Sequence, residues 1–273
     1  MYGLVIAFKD YKITRGIEGS NWSDPWYKWF LNFFTDPYFG RLLKNTFMIS
    51  GLTILFGFPA PIILALMINE VKNSAFKRTV QTITYMPYFI SMVVLCGLLK
   101  TFCMQDGLFA QIAVLFGGKA QNYLANPSYF RTIYVLSDIW SGIGWNSIIY
   151  LAALSSIDQE QYEAARVDGA NRFKQMIHIT LPGLVPTIMV LFILRMGNIL
   201  NVGYEKILLL YNSATYSTAD VISTYTYRLS FGGSGNPMYS KSTAIGLFNT
   251  IINVFFLMLT NMISKKATDA GLF

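Results

Sequence analysis

Residues 163–169, Glu163-Ala164-Ala165-Arg166-Val167-Asp168-Gly169, run on to Ile179-Thr180-Leu181-Pro182 and make a polar, mixed-charge segment between two long apolar runs. Three residues separate Ala165 from Gly169, nine separate Gly169 from Ile179, and Leu-Pro closes the pattern. Ser156 is placed to N-cap a short helix, with Gln159 three residues on completing a capping box. Residues 157–168 are rich in Ala, Glu, Gln and Arg, all good helix formers. Gly169 stands where a helix end favours a residue at positive φ. Asn171 is an N-cap for a second short helix, predicted to end before Pro182 because the residue ahead of a proline is pushed out of the helical region. The segment therefore reads as helix, glycine turn, helix. Ala164 and Ala165 leave a shallow surface for close approach, ringed by Glu163, Arg166, Asp168, Arg172 and Lys174.

The chain around this segment is a membrane chain. Of its 273 residues only 13% are charged, while 16% are aromatic; an average soluble protein is about a quarter charged. Several apolar runs reach the roughly 20 residues that a helix needs to cross a bilayer. Five spans are predicted, at about 42–68, 80–102, 130–154, 183–200 and 243–263. Pro59, Pro61 and Pro87 fall inside the first two, where neighbouring helices can satisfy freed backbone groups. The fold class is thus all-α and integral to the membrane. The net charge of +7 points to membrane orientation and anionic headgroups, and no basic cluster interleaved with aromatics points to nucleic acid. Cys96 and Cys103, seven apart on one helical run, sit about 10 Å apart, too far for a disulfide; they read as small core residues.

Residues 1–41 contain no signal peptide: the apolar start is short and no small-residue cleavage site follows. Asp24-Pro25 reads as a helix start, with proline at the first position. Trp26, Trp29, Phe30, Phe33 and Phe34 then recur at helical spacing, the pattern of an aromatic helix lying in the membrane interface. Lys72, Lys77 and Arg78, then Arg166, Arg172 and Lys174, then Lys265 and Lys266 lie densely on one set of flanks. The opposite loops carry Lys119, Lys206, Arg228 and Lys241 over longer sequence. Segment 155–182 and the tail 264–273 are therefore expected in the cytoplasm. Residues 1–41 are then outside despite Lys9, Lys12, Arg15, Lys28 and Arg41, a conflict that a further span upstream of Met1 resolves.

The spaced pattern at 163–182 resembles that of the permease subunits of binding-protein-dependent, type I ABC importers. Phe56-Gly57-Phe58-Pro59-Ala60-Pro61, Tyr85-Met86-Pro87, Ile149-Tyr150-Leu151-Ala152-Ala153-Leu154, Arg195-Met196-Gly197-Asn198 and Ala219-Asp220-Val221-Ile222 are similar to the oligosaccharide branch, which includes aldouronate-, alginate- and other complex-glycan permeases. In those permeases a first span ends just before a segment like Met1-Tyr2-Gly3. The resemblance implies a type I ABC importer transmembrane domain (MetI-like) over 42–263. It also implies a second homologous permease, a cytoplasmic ATPase dimer that carries ATP and Mg, and an extracytoplasmic sugar-binding protein. Segment 155–182 would be the coupling loop. Glu163 would meet a basic group on the ATPase, Ala164 and Ala165 would allow close docking, Gly169 would make the turn, and Asp168 would be among the coupling residues. Leu181-Pro182 would pass the displacement to the fourth span. No cofactor is implied for this chain itself.

Polar groups within apolar spans are expensive and tend to face a cavity or a partner. Asp138, Asn146, Arg195, Asn198 and Asn201 are the polar candidates for a substrate path, with Arg195 foremost. Trp140, Trp145, Tyr150 and Tyr204 are the aromatic candidates for stacking on sugar. The other reading of each is a helix–helix hydrogen bond or an interfacial anchor, and for the aromatics that reading is the favoured one. Residues 235–242 come close to a phosphate-binding loop, but Ser240 stands where that loop needs glycine and no buried strand precedes it. His178, the only histidine, has no clustered ligands, so no metal site is expected. Nothing in the sequence suggests catalysis. The competing readings are a same-fold importer of another solute, such as glycerol phosphate or a peptide, and a membrane assembly protein without transport.

Overall fold

The structure is a computed structural model that describes residues 2–232, 237–268 and 271–272. Its first α-helix, α1 (Lys28–Phe34), begins later than the Asp24-Pro25 start expected from sequence. α2 (Phe39–Leu52) and α3 (Pro59–Glu70) join through a π-turn at Thr53–Gly57 into one 32-residue apolar helix. Pro59 and Pro61 fall in the first turn of α3, where a missing N–H is least felt, and the widened turn ahead of them keeps the helix continuous.

The second expected span does not exist as drawn. Residues 80–102 divide into α4 (Ser74–Tyr85), a 3₁₀ turn at Met86–Phe89, and α5 (Met92–Cys103). Pro87 can neither donate to Ile83 nor tolerate its carbonyl, so the helix stops there. The Asn73 carboxamide caps α4, accepting from Ala75 and Phe76 N–H at 3.0 and 3.1 Å. α5 instead continues toward α6 (Leu108–Leu115), and Met92–Leu115 is the apolar stretch long enough to cross.

α7 (Pro127–Ser155) has 29 residues, about 43 Å of helix. It holds the expected third span, but among the described residues the four stretches long and apolar enough to cross are Phe39–Glu70, Met92–Leu115, Arg172–Met196 and Tyr239–Lys266, and α7, which carries Arg131, Asp138 and Asn146, is not one of them. After α7 come α8 (Gln159–Val167), α9 (Arg172–Gln175) and α10 (Leu181–Met196). Then follow α11 (Tyr204–Leu210), α12 (Tyr216–Ala219), α13 (Ile222–Phe231) and α14 (Tyr239–Thr268).

These elements make two compact units. The first comprises Met1–Gly51, Met92–Tyr134 and Asn198–Phe255; the second comprises Leu52–Ser91, Val135–Gly197 and Phe256–Phe273. Phe33, Leu42, Ile222, Tyr225 and Ile245 form the apolar core of the first. Phe33, expected on an interfacial face, is only 1% exposed, whereas Trp26 and Phe34 on the same stretch are exposed. Cys96 and Cys103 are free and buried, as expected.

A polar network holds the first unit together. The fully buried Asp220 carboxylate accepts both Arg228 Nη atoms, at 2.8 and 2.7 Å, and the Thr224 hydroxyl at 2.8 Å. Arg41 approaches it at 3.4 Å. Asn45 donates to the Asp220 carbonyl at 2.9 Å and accepts from Arg131 at 2.8 Å. Asp36 accepts from Lys241 at 2.6 Å and from the Tyr225 hydroxyl at 2.5 Å. Burial pushes the Asp36 carboxyl up, but these two donors outweigh it and hold the group below its usual range. The ion pair is how Lys241, the lysine of the near-miss phosphate loop, is used; Gly235 of that loop lies outside the described residues.

The core of the second unit is Ala65, Tyr150, Leu154 and Leu184. Here α4 and α7 touch at Gly144, where any Cβ would collide with the Thr84 carbonyl. The Asp220 network makes a direct prediction. Removing one partner of a buried ion pair strands the others and costs about 3–5 kcal/mol. Asp220→Ala will lower thermal stability in detergent by that order, measured by unfolding of the purified chain, while Lys119→Ala, on an exposed loop, will leave it unchanged.

Candidate functional site

α8 begins at Gln159, two residues after the start expected from sequence. Its N-cap is Asp158, whose carboxylate accepts the Glu160 N–H at 3.0 Å. Ser156 is not the cap: α7 runs on to Ser155, and the Ser156 hydroxyl turns back to the Ala153 carbonyl at 2.8 Å. At the other end, Ala170 N–H reaches the Ala165 carbonyl at 2.8 Å and Gly169 N–H reaches Arg166 at 3.1 Å. This pair of bonds is the Schellman motif, with its left-handed residue at C′. Gly169 has φ +73° with nothing near its Cα to obstruct, so the requirement for glycine is backbone conformation alone.

Asn171 caps α9, as expected, by accepting the Lys174 N–H at 2.9 Å. The second helix does not stop before Pro182. It widens into a π-turn at Met176–Thr180 and enters α10 without a break, giving one 25-residue helix over Arg172–Met196. Pro182 stands in the first turn of α10, the position a helix tolerates best, and the wider turn absorbs the unmatched carbonyls. The coupling candidates Glu163, Ala164, Asp168, Gly169 and Pro182 are exposed, while Ala165 and Leu181 are half-buried. Val167, at 88%, and Phe173, at 64%, put apolar surface on the same hairpin.

Two contacts fasten the hairpin to the foot of α10. The Tyr162 hydroxyl lies 3.0 Å from the buried Thr180 hydroxyl. Ile157 packs against Gly183, where a Cβ would sit only 2.8 Å from its Cδ1. His178 Nδ1 is 2.9 Å from the Lys174 carbonyl, and no group of metal-ligating side chains occurs among the described residues. Beside the hairpin opens a polar cleft of about 1000 Å³ between the ends of α3 and α7 and the α8–α9 turn.

The substrate-path candidates do not all come together. Asn146, Tyr150 and Arg195 line one pocket of about 240 Å³, with Asp138, Gly142 and Thr53. Tyr150 also belongs to the apolar core, so it meets the pocket from a buried position. Trp145 is engaged elsewhere, stacked on Tyr88 at 4.7 Å with an interplanar angle of 4°. Trp140 is exposed at 49% and is not among the pocket residues. Asn198, Asn201 and Tyr204 belong to the first unit: Asn201 donates to Asn198 at 3.1 Å and Tyr204 stacks on Tyr227 at 5.7 Å. Gly142 and Thr53 had no signal in the sequence beyond their place in apolar runs, and only the fold puts them on the pocket wall.

Apolar stretches long enough to cross a membrane are interrupted by an exposed helix–glycine–helix hairpin that continues into one of them. The chain belongs to the family of binding-protein-dependent transport system inner membrane components, which matches residues 57–269. It is similar to protein LplB of Bacillus subtilis (strain 168), at 43% identity over 274 aligned positions that span 100% of this chain and 85% of that protein. It is also similar to the polygalacturonan/rhamnogalacturonan transport system permease protein YteP of the same organism, at 42% identity, spanning 100% of this chain and 84% of that one. Among solved structures it resembles a chain of the bacterial alginate ABC transporter in complex with an alginate pentasaccharide-bound periplasmic protein. The TM-score is 0.89 and the identity 44%, covering 99% of this chain and 88% of that chain. The all-α permease fold expected from the sequence is thus the fold of its relatives.

Tyr162→Phe isolates one fastening of the hairpin. A hydrogen bond of this kind is worth about 0.5–1.5 kcal/mol, so amide exchange in 159–180 will quicken by up to about tenfold in the variant, read by hydrogen–deuterium exchange. The α2–α3 helix will be unaffected.

Proposed function

We propose that this chain is a permease subunit of an ABC importer that moves oligosaccharides across the bacterial cytoplasmic membrane. A second, homologous permease completes the path. A binding protein delivers sugar outside, and a cytoplasmic ATPase pair hydrolyses ATP against the α8–α9 hairpin. The observation that carries the reading is the hairpin itself: exposed at Glu163, Ala164, Val167 and Phe173, yet continuous through the π-turn with the α10 span.

Coupling follows from that continuity. Glu163 offers a carboxylate to a basic group of the ATPase, while Ala164 and Ala165 let the two surfaces close. Movement of the hairpin cannot be absorbed at a break, because Tyr162–Thr180 and Ile157–Gly183 join it to the base of α10. The displacement therefore reaches Arg195, at the far end of the same helix, and changes its place against Asp138, Asn146 and Tyr150 of α7. A bistable path shifts only by such differential contacts in its two states. On this reading the hairpin and the C-terminus are cytoplasmic, on the side of the dense Lys and Arg flanks.

The pocket sets a scale for the cargo. At about 240 Å³ it falls below the roughly 300–1,000 Å³ of sites that enclose a drug-sized ligand. It holds one sugar unit of a chain, with the remainder in the partner permease. Arg195 is the donor suited to a carboxylated sugar, since a guanidinium binds carboxylate with two parallel N–H bonds. The relatives named for pectic polymers and alginate support a carbohydrate cargo.

The test is affinity purification of the tagged importer from native membranes. The wild-type chain will bring down a homologous permease and a P-loop ATPase. Glu163→Lys will lose the ATPase and keep the permease, because the change lies in an exposed hairpin. Arg195→Ala will keep both but lose at least tenfold in oligosaccharide uptake. Recovery of the chain alone, or of an ATPase indifferent to Glu163, would contradict the reading.

A further inference from the structure

The polar cleft beside the hairpin has a composition that the coupling role does not explain. Its walls carry three cations, Lys72, Arg166 and Arg172, against one carboxylate, Glu70. Glu70 is engaged by Arg172 at 3.3 Å. Lys72 and Arg166 have no ion-pair partner among the described residues. A cleft lined by an excess of one sign of charge focuses its field and concentrates counter-ions, here anions.

The depth of the cleft says what kind of anion. The stretch Phe39–Glu70, long and apolar enough to cross the membrane, ends at one cleft residue, and the stretch Arg172–Met196 begins at another. The cleft therefore opens where two apolar stretches end, on the side of the hairpin. Leu154 and Met176 are the apolar members of the same lining. Basic pockets between membrane helices at this depth hold anionic lipid headgroups.

We propose that this cleft binds the phosphate headgroup of an anionic phospholipid from the leaflet on the hairpin side. Lys72 and Arg166 hold the phosphate, Arg172 adds a donor while paired to Glu70, and the glycerol and upper acyl carbons lie against Leu154 and Met176. The lipid joins the end of α3 to α8 and α9, so it buttresses the hairpin from behind, on residues separate from Glu163. The inference stands whether or not the hairpin docks an ATPase.

The experiment uses the importer purified with this chain in a neutral detergent, titrated with phosphatidylglycerol and read by native mass spectrometry. Phosphatidylcholine and inorganic phosphate are run as separate arms. Phosphatidylglycerol will be retained on the wild-type chain through collisional activation that strips phosphatidylcholine. The double variant Lys72→Gln/Arg166→Gln, both on exposed positions, will weaken its retention at least tenfold. Millimolar inorganic phosphate will not displace it. Equal retention of the two lipids, unchanged retention in the double variant, or displacement by phosphate alone would each overturn the proposal. Glu163→Lys, run in parallel, will keep the lipid even where it loses the ATPase, so failure here and failure of the coupling reading are distinguishable.

Discussion

A bilayer offers no partner to a backbone N–H or C=O, so a helix that must bend inside it has to keep its own bonds. That constraint governs both proline-bearing spans of this chain. In each, a π-turn precedes the proline pair: Thr53–Gly57 before Pro59 and Pro61, and Met176–Thr180 before Pro182 and Pro186. The helix stays continuous where proline alone would end it. Where no such turn occurs, at Pro87, the helix does end. Continuity at Pro182 is what makes the exposed hairpin part of a membrane span rather than a loop hung between two.

From that continuity the division of the molecule follows. The second unit carries the hairpin, the cleft behind it and the small pocket faced by Arg195, and one helix serves all three. The first unit is organised by buried charge: Asp220 between two arginines, and Lys241 on Asp36. These pairs bind residues far apart in sequence, 179 apart for Arg41 and Asp220 and 205 apart for Asp36 and Lys241. They give the first unit a fixed shape that apolar contacts alone, sliding against lipid of equal polarity, would specify less sharply.

What could be read from the sequence was what depends on neighbours in the chain. Gly169 as the left-handed residue and Asn171 as a cap both need only local geometry, and both are where expected. The apolar runs gave the first, fourth and fifth spans, whereas the second was broken at Pro87 and the third, within α7, is not among the stretches apolar enough to cross. The N-cap was misplaced by two residues because Ser156 and Asp158 are both good caps. The choice between them rests on how far α7 overruns, which is to Ser155. The π-turns have no compositional signature, so the stop expected before Pro182 was wrong for a reason no local rule contains. The pocket was half legible. Asn146, Tyr150 and Arg195 stood out as polar or aromatic groups in apolar runs, but the same argument selected Trp145, which stacks on Tyr88, and Asn198, which pairs with Asn201.

The central claim is that the α8–α9 hairpin is the surface on which an ATPase acts, and a cross-link tests it most directly. Both native cysteines are buried, so Ala164→Cys places the one exposed thiol of the chain on the hairpin. A short cross-linker with a maleimide at one end and a benzophenone at the other is attached to that thiol in native membranes and irradiated, with and without ATP. The account predicts a single product that joins this chain to a P-loop ATPase, in a yield that changes with ATP. Absence of that product while the thiol is freely labelled, or a product with an integral membrane protein instead, would contradict it.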